Sequence, residues 1–469
     1  MNRYPRISCL LLALSNALCT IVVNGDPGRA LYTQWCSSCH GVNHEGGLGG
    51  SLTQAEFKQV GKTKGFLAFV KEGNLELGMP PFGAALNDEE ILSIAHYIAA
   101  SRKKGPQPAE VEATAEAQVG TGEHDFEMEE VFPVEGLPWS IAFLPDELAG
   151  FITVRGGDDP KLLMFRDDEI TGEVQGLPEV FRVGQGGLLE VALHPNYSSN
   201  GWIYLAYSHQ KGGEKDGMTR VIRGKLDGNR WTSQEIIYEA PTDTYRNSSL
   251  HWGVRIVFKG GYIYFGIGDR GKPEDAQDLS KPNGKIHRLN DDGRIPRDNP
   301  FVNDRDALPT IWAFGIRNPQ GMDLHPLTGE IWESEHGPKG GDEINLIEKG
   351  KNYGWPEITF GVNYNGTPIS DKTSAPGMEQ PKLHWTPSIA VCGIDFYEGD
   401  VFPNWKYNLF VTSLARQEFH RLIIQNGEVA DSELLFQGKG RIRDVASGPD
   451  GNIYIIFNGP GKVVRLVPN

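Results

Sequence analysis

Six segments of this 469-residue chain repeat one design: an apolar strand, a turn carrying Gly, Pro or Asn, and a second strand with an aromatic residue. They cover residues 141–153, 191–207, 255–265, 322–332, 394–411 and 445–457, and read most alike in ALHPNYSSNGWIYLAY, VFKGGYIYFGIG, DLHPLTGEIWESE and ASGPDGNIYIIFN. Six irregular β repeats, with long insertions after the third and fourth, predict a six-bladed β-propeller. Radial packing of that kind leaves only short strand edges and gathers the insertions on one face. A pair of large β-sandwiches would use the same strands but gives no reason for a recurring hairpin.

The third repeat lies within HWGVRIVFKGGYIYFGIGDRG, residues 251–271. Gly260-Gly261 predicts a tight hairpin turn, so His251 and Arg255, before the strand pair, and Asp269, after it, fall at strand ends. Strand ends are where rigid scaffolds hold chemistry. An ordinary hydrogen-bonded loop histidine is the other reading of His251.

The N-terminus carries Arg3 and Arg6, then an apolar run from Ile7 to Val23 and a small-residue stretch ending at Gly25. This is the order of a secretory leader, residues 1–25, and implies an exported, periplasmic protein. A retained anchor is disfavoured because Ser15, Asn16 and Thr20 interrupt the run, and no later segment could cross a membrane. A net charge of −16 with a pI near 5.3 argues against nucleic acid or an anionic membrane surface as partner. Only five cysteines are present, too few for a disulfide scaffold.

Two of them form Cys36-Ser37-Ser38-Cys39-His40, the CxxCH pattern in which paired thiols bond to haem vinyl groups and the histidine binds iron. Zinc would need a second cysteine pair, and a redox CxxC would not need His40. Leu77-Gly78-Met79-Pro80-Pro81-Phe82 places Met79 in a stiff loop, suited to the sixth iron position. The loop sits between helices predicted over about 53–72 and 88–101, the second capped by Asn87 with Glu89 and Glu90 in its first turn. Residues 26–102 therefore resemble a small class I cytochrome c, an all-α domain with His40 and Met79 as axial ligands. Residues 103–125, rich in Ala, Glu, Pro and Gly without an aromatic, read as a solvated linker, or as a short exposed helix around 109–118. The propeller takes residues 126–469.

Around the repeats, polar residues cluster in loops: Gly184-Gln185-Gly186-Gly187, Arg317-Asn318-Pro319-Gln320-Gly321, the run SEHGPKGGDEIN from Ser334 to Asn345, and Arg441 with Arg443. Arginines converging on one cavity call for an anionic ligand. Taken singly, each is an ordinary surface ion-pair former.

In order along the chain, GQGGLL, HWGVR, IGDRG, DAQDLSKPNGKIHRLNDDG, RNPQG, SEHGPKGGDEINLI, GKNYGWP and RIRDVASGPDG resemble the soluble PQQ-dependent aldose sugar dehydrogenases of the glucose/sorbosone dehydrogenase family. The resemblance implies that His251 is the general base for the anomeric hydroxyl, oriented by Asp269, with Gln185 near the substrate. It implies PQQ contacts from Arg317 and Asn318, and charge balance from Arg441 and Arg443. It implies calcium on the backbone carbonyls of Gly337 and Pro338, and a second calcium at Glu343 and Tyr353. Three positions depart from the pattern: Ala415 for a lysine, with Arg416 as the available substitute, Glu190 for a glycine, and Cys392 for a serine. The expected activity is oxidation of an aldose by PQQ, with electrons passing to haem c at Cys36 and Cys39 and then to an external acceptor. A calcium-dependent lactonase and a non-catalytic binding propeller with an electron-carrier cytochrome are the alternatives. Substrate choice is expected to lie in the insertions, above all residues 363–385.

Overall fold

The computed structural model describes residues 27–40, 44, 52, 63–73, 79, 81–83, 85–104, 123–156, 159–211 and 215–469. The leader, residues 105–122 of the linker and part of the segment between His40 and Met79 lie outside them.

Six four-stranded antiparallel sheets form the C-terminal part. The innermost strands are Pro138–Phe143, Leu188–Leu193, Ile256–Lys259, Pro319–Leu324, Val391–Phe396 and Ile442–Ser447. Each packs beside the next and the last packs beside the first, so the sheets close into a ring around one axis. The chain is a six-bladed β-propeller. Its sixth blade is closed by the first strand of the ring, Phe126–Pro133, which pairs with the last, Gly461–Pro468, in the register Phe126 to Pro468. Ring closure therefore ties the two ends of the propeller sequence together with backbone hydrogen bonds.

Each sequence repeat is the inner hairpin of a blade. These strands are buried on both faces, as in Ala149–Val154 and Ile453–Asn458, and so read as continuous apolar runs. In the third blade Lys259 pairs with Tyr262 across Gly260-Gly261, whose φ values of 61° and 81° are the left-handed pair that a two-residue hairpin needs. The outer strand Glu169–Glu173 has no buried residue.

Before the propeller come four helices: α1 (Pro27–Trp35), α2 (Ser37–His40), α3 (Thr63–Glu72) and α4 (Asp88–Lys104). Asn87 and Glu90 form a reciprocal cap on α4, Glu90 N–H donating to Asn87 Oδ1 at 3.0 Å and Asn87 N–H to Glu90 Oε2 at 2.8 Å. α4 runs three residues beyond the expected 101, into the start of the expected linker, because Arg102, Lys103 and Lys104 are good helix formers. Of the helix expected over 53–72, residues 63–72 are helical and the rest lie outside the described residues, as does the short helix expected over 109–118. Tyr32, Phe66, Val70, Leu86, Ile91, Ile94 and Ile98 make the core of this domain.

Candidate active site

At the end of the Tyr262–Ile267 strand the chain turns through Gly268 into Asp269, which is completely buried. Its carboxylate is held from three sides. His251 Nδ1 lies 2.6 Å from Oδ1, the Gly271 N–H donates to Oδ1 at 2.7 Å, and Trp355 Nε1–H donates to Oδ2 at 2.8 Å. Burial alone would raise this carboxyl, but His251, Arg317 and the Gly271 N–H hold it below the ordinary range. For His251 burial is the larger influence and lowers its pKa; Asp269 opposes that, and Arg317 and Arg270 add to it. A carboxylate on Nδ1 fixes the tautomer with Nδ1–H, leaving Nε2 to take a proton. His251 itself sits at φ 47°, a left-handed conformation for a non-glycine residue, and its N–H donates to Gln185 Oε1 at 2.9 Å. Strain of this kind persists where neighbours over-determine it.

Arg317 continues the wall. Its Nη1 donates to the carbonyls of His336 at 2.7 Å and Gly337 at 2.9 Å, and its guanidinium lies 5.3 Å from the centre of the Trp355 ring. Asn318 Oδ1 accepts from the Gly253 N–H at 3.3 Å and from Gln320 Nε2 at 3.1 Å. Across the axis Arg443 donates to Gln320 Oε1 at 2.9 Å and lies 3.9 Å from the centre of the Trp139 ring, while Arg441 reaches the Leu414 carbonyl at 3.4 Å. Arg155 leans on the same tryptophan. Burial, reinforced by Arg443 and Arg441, brings Arg155 down to about 9. Nε of Arg317 and Nε of Arg443 are buried with no acceptor among the described residues. A ligand rich in carboxylate and carbonyl oxygens fits that donor set.

One arginine is differently employed. Arg255 binds Glu190 Oε2 and Asp444 Oδ1, each at 2.9 Å, and donates to the Gln320 carbonyl, so it is neutralised inside the ring and does not await an anion. The partners come from separate blades, so nothing near Arg255 in sequence shows that it is neutralised.

Beside Arg317 a small pocket is lined by Glu335, His336, Gly337, Gly341, Glu343, Tyr353, Trp355 and Thr359, among others. Asn345 Nδ2 reaches carboxylate oxygens of Glu333, Glu335 and Glu343 at 3.3 to 3.4 Å. Burial raises all three, Glu335 to about 7 and the other two further, each helped by a neighbouring carboxylate. Glu333 Oε1 and Asn345 Oδ1 are buried without a donor among the described residues. Crowded anionic and carbonyl oxygens suit a hard cation, although no three His, Cys, Asp or Glu side chains among the described residues already converge as a metal cluster. The Tyr353 hydroxyl donates to the Leu346 carbonyl at 2.5 Å and accepts the Glu348 N–H at 2.9 Å. Its phenol is thus occupied by two backbone groups of the adjoining strand and turn.

In the helical domain Cys36 and Met79 pack, partly exposed, against one apolar core, and His40 ends α2 with its N–H on the Cys36 carbonyl at 2.9 Å. A thiol and a thioether on one core, with a histidine one helical turn beyond the thiol, fit a covalently attached haem.

Residues 136–465 match the family model described as Glucose / Sorbosone dehydrogenase. The chain belongs to the glucose/sorbosone dehydrogenase family. Residues 23–98 match the model described as Cytochrome C oxidase, cbb3-type, subunit III, so this family member carries a cytochrome c domain ahead of its propeller. It is 39% identical over 339 residues to aldose sugar dehydrogenase YliI of Escherichia coli, covering 71% of this chain and 90% of that protein. The apo-form structure of the soluble aldose sugar dehydrogenase from Escherichia coli superposes with a TM-score of 0.68 at 36% identity, covering 73% of this chain and all of that one. Quinoprotein glucose dehydrogenase B of Acinetobacter calcoaceticus is 28% identical over 364 residues, 60% of this chain and 75% of that protein.

Against that family, the departures now have physical settings. Glu190 replaces a glycine and is the partner of Arg255. Ala415 packs on Ala390, Cys392 and Leu414 in the channel wall, and Arg416 does not take a lysine's place there: it is half exposed and paired with Glu418 at 3.0 Å. Cys392 is buried, its sulfur 3.4 Å from Arg443 Nη1 and 3.6 Å from His336 Nε2. Trp355, Trp139, Arg155 and Glu335 were given no role from sequence. The GKNYGWP motif was the signal for Trp355 and SEHGPKGGDEIN for Glu335; Trp139 and Arg155 had none.

Proposed function

We propose that this dehydrogenase-family chain oxidises the anomeric carbon of an aldose, using PQQ and calcium in the propeller channel and haem c on its N-terminal domain. The observation that carries the reading is the buried His251–Asp269 pair beside Arg317, on a chain that also holds CxxCH. His251 Nε2 takes the proton of the anomeric hydroxyl; burial keeps the imidazole neutral near pH 7, and Asp269 holds the ring and stabilises the imidazolium that forms. Gln185 fixes the His251 backbone and lies at the substrate. PQQ, when bound, supplies the quinone carbonyl that accepts the hydride, and calcium polarises it.

Arg317, Asn318, Arg441 and Arg443 would hold the cofactor's carbonyl and carboxylate edges, and the carbonyls of Gly337 and Pro338 would hold the activating calcium. Glu343 and the Tyr353 backbone would serve a second calcium. Cys36 and Cys39 would carry the haem, with His40 and Met79 to bind its iron. The chain divides into leader 1–25, cytochrome 26–102, linker 103–125 and propeller 126–469. Its leader marks it as periplasmic, and its partners are a sugar and an external electron acceptor. No helix among the described residues is long and apolar enough to cross a membrane.

The test is a titration of protein loaded with PQQ and calcium against a panel of aldoses and polyols. Substrate-dependent reduction of the haem band is expected; its absence across the panel refutes the reading. His251→Ala should lower kcat/KM by about 10²- to 10⁴-fold, the usual worth of a general base. Because the folded pKa of His251 lies below its ordinary value, activity should hold as pH falls to 6.5 and decline only at lower pH.

A further inference from the structure

We propose that Trp35 and Lys339 form the docking contact that seats the haem domain at the mouth of the propeller. This rests on the preceding reading that the chain is a haem-linked dehydrogenase. Lys339 Nζ lies 3.5 Å from the centre of the Trp35 ring, a cation–π contact between the two domains. Both partners are placed for electron delivery.

Trp35 closes α1 and directly precedes Cys36, the first haem-attachment thiol. It also packs edge-on against Phe82, with centroids 6.3 Å apart and planes at 81°, at the end of the loop that contains Met79. Phe82 is itself pinned by its N–H to the Val70 carbonyl at 3.0 Å. The indole therefore spans both segments that supply candidate haem ligands.

Lys339 stands between Gly337 and Gly341, which line the cavity beside Arg317. That loop is fixed at each point: the Gly337 N–H donates to Asp342 Oδ1 at 2.9 Å, the Lys339 N–H to the Val362 carbonyl at 3.1 Å, and the Gly341 N–H to the Trp385 carbonyl at 2.8 Å. Partial burial lowers the Lys339 pKa from its ordinary value, as expected for an ammonium partly withdrawn from water. A cation on a rigid loop and an aromatic on a rigid helix end give a docking contact with one geometry. It sets the haem-attachment segment against the loop that borders the candidate site.

Oxidation of an aldose to its lactone releases two electrons and two protons. A haem held by Cys36 and Cys39 would accept those electrons singly, so two transfers, with reoxidation by a one-electron external acceptor after each, would be needed per turnover.

The experiment uses the full chain in two arms. In the first, protein without PQQ is treated with an amine-acylating reagent, and Lys339 modification is followed by peptide mass spectrometry. Trp35→Leu and the more conservative Trp35→Phe are compared with the parent. Lys339 should react about 3- to 30-fold faster in Trp35→Leu, with Trp35→Phe between, the range a partly desolvated cation–π contact supplies. In the second arm, Lys339→Gln should slow sugar-driven haem reduction by a similar factor while direct reduction of a soluble dye and the haem spectrum stay unchanged. Equal Lys339 reactivity in parent and Trp35→Leu overturns the contact, and an unchanged haem reduction rate in Lys339→Gln overturns its role. If the parent reduces neither dye nor haem with any sugar, the functional reading fails, while the labelling arm still decides the contact.

Discussion

The propeller fixes its candidate site with strands and loops that the ring itself ties down, whereas the helical domain surrounds its candidate haem ligands with ten buried apolar side chains among the described residues. In the propeller, Asp269 is gripped by a histidine, a backbone N–H and a tryptophan from another blade. In the helical domain Cys36 and Met79 lie at the edge of a small core. Size explains the difference, since a domain of this length buries too little surface to be stable with much to spare and commonly relies on a covalent or metal staple. The large domain can place a ligand site without the ligand; the small one depends on what it binds.

The largest expected effect breaks that dependence. Replacing Cys36 and Cys39 together by Ser should abolish haem attachment and with it the cooperative unfolding transition of the helical domain. The propeller transition should stay where it was. Calorimetry alongside the visible spectrum reads both, and a helical domain that keeps its transition without haem would contradict the contrast.

Next comes the propeller's own internal staple. Arg255 neutralises Glu190 and Asp444, and burial has pushed both acids up, Glu190 to about 7. Arg255→Met removes the cation and leaves two carboxyl groups packed together away from water. Breaking a buried ion pair from one side costs about 3–5 kcal/mol. Urea unfolding followed by tryptophan fluorescence should show that loss, with the haem spectrum unaltered.

These two cases also mark what the sequence could and could not convey. CxxCH is local, so its chemistry is readable in five consecutive residues. The inner hairpins were legible because their strands are buried on both faces; the outer strand Glu169–Glu173 was not, being short and without a buried residue. His251 and Asp269 flank one hairpin, before its first strand and after its second, so they meet at its open end and were paired from sequence. Trp355 reaches the same carboxylate from 86 residues away, and only ring closure brings it there. Arg255 shows the same limit: its acid partners are on other blades, so nothing nearby in sequence told of its neutralisation. The motif text gave the positions of Glu343 and Tyr353, but the commitment of the Tyr353 phenol to Leu346 and Glu348 depends on loop geometry.

A smaller effect is expected from acid. His287 is buried against Phe265, with Nδ1 at 2.9 Å from Thr310 Oγ1 and Nε2 at 2.8 Å from the Pro282 carbonyl, and burial holds it at about 3. In unfolded chain it would titrate near the ordinary value of about 6.5. Between those values the unfolded state carries a proton that the folded state refuses, so stability rises with pH in that window and falls on acidification. Relative to His287→Gln, the parent should lose about 2 kcal/mol between pH 6.5 and pH 5, at about 1.4 kcal/mol per pH unit. A difference between parent and variant that does not change with pH would show that His287 accepts a proton in the fold.

The smallest effect tests the helical domain without touching its haem ligands. The Asn87–Glu90 cap satisfies two N–H groups at the start of α4, the longest helix described and the one that packs on both α1 and α3. Asn87→Ala should remove about 1 kcal/mol, the usual worth of an N-cap. In the haem-bound protein that loss should lower the helical domain's unfolding midpoint while the propeller's midpoint is unmoved. If the propeller midpoint falls as well, the two regions unfold as one unit, and the Trp35–Lys339 contact then couples their stabilities as well as their positions. A cap within the helical domain thus reports on whether the small domain leans on the large one.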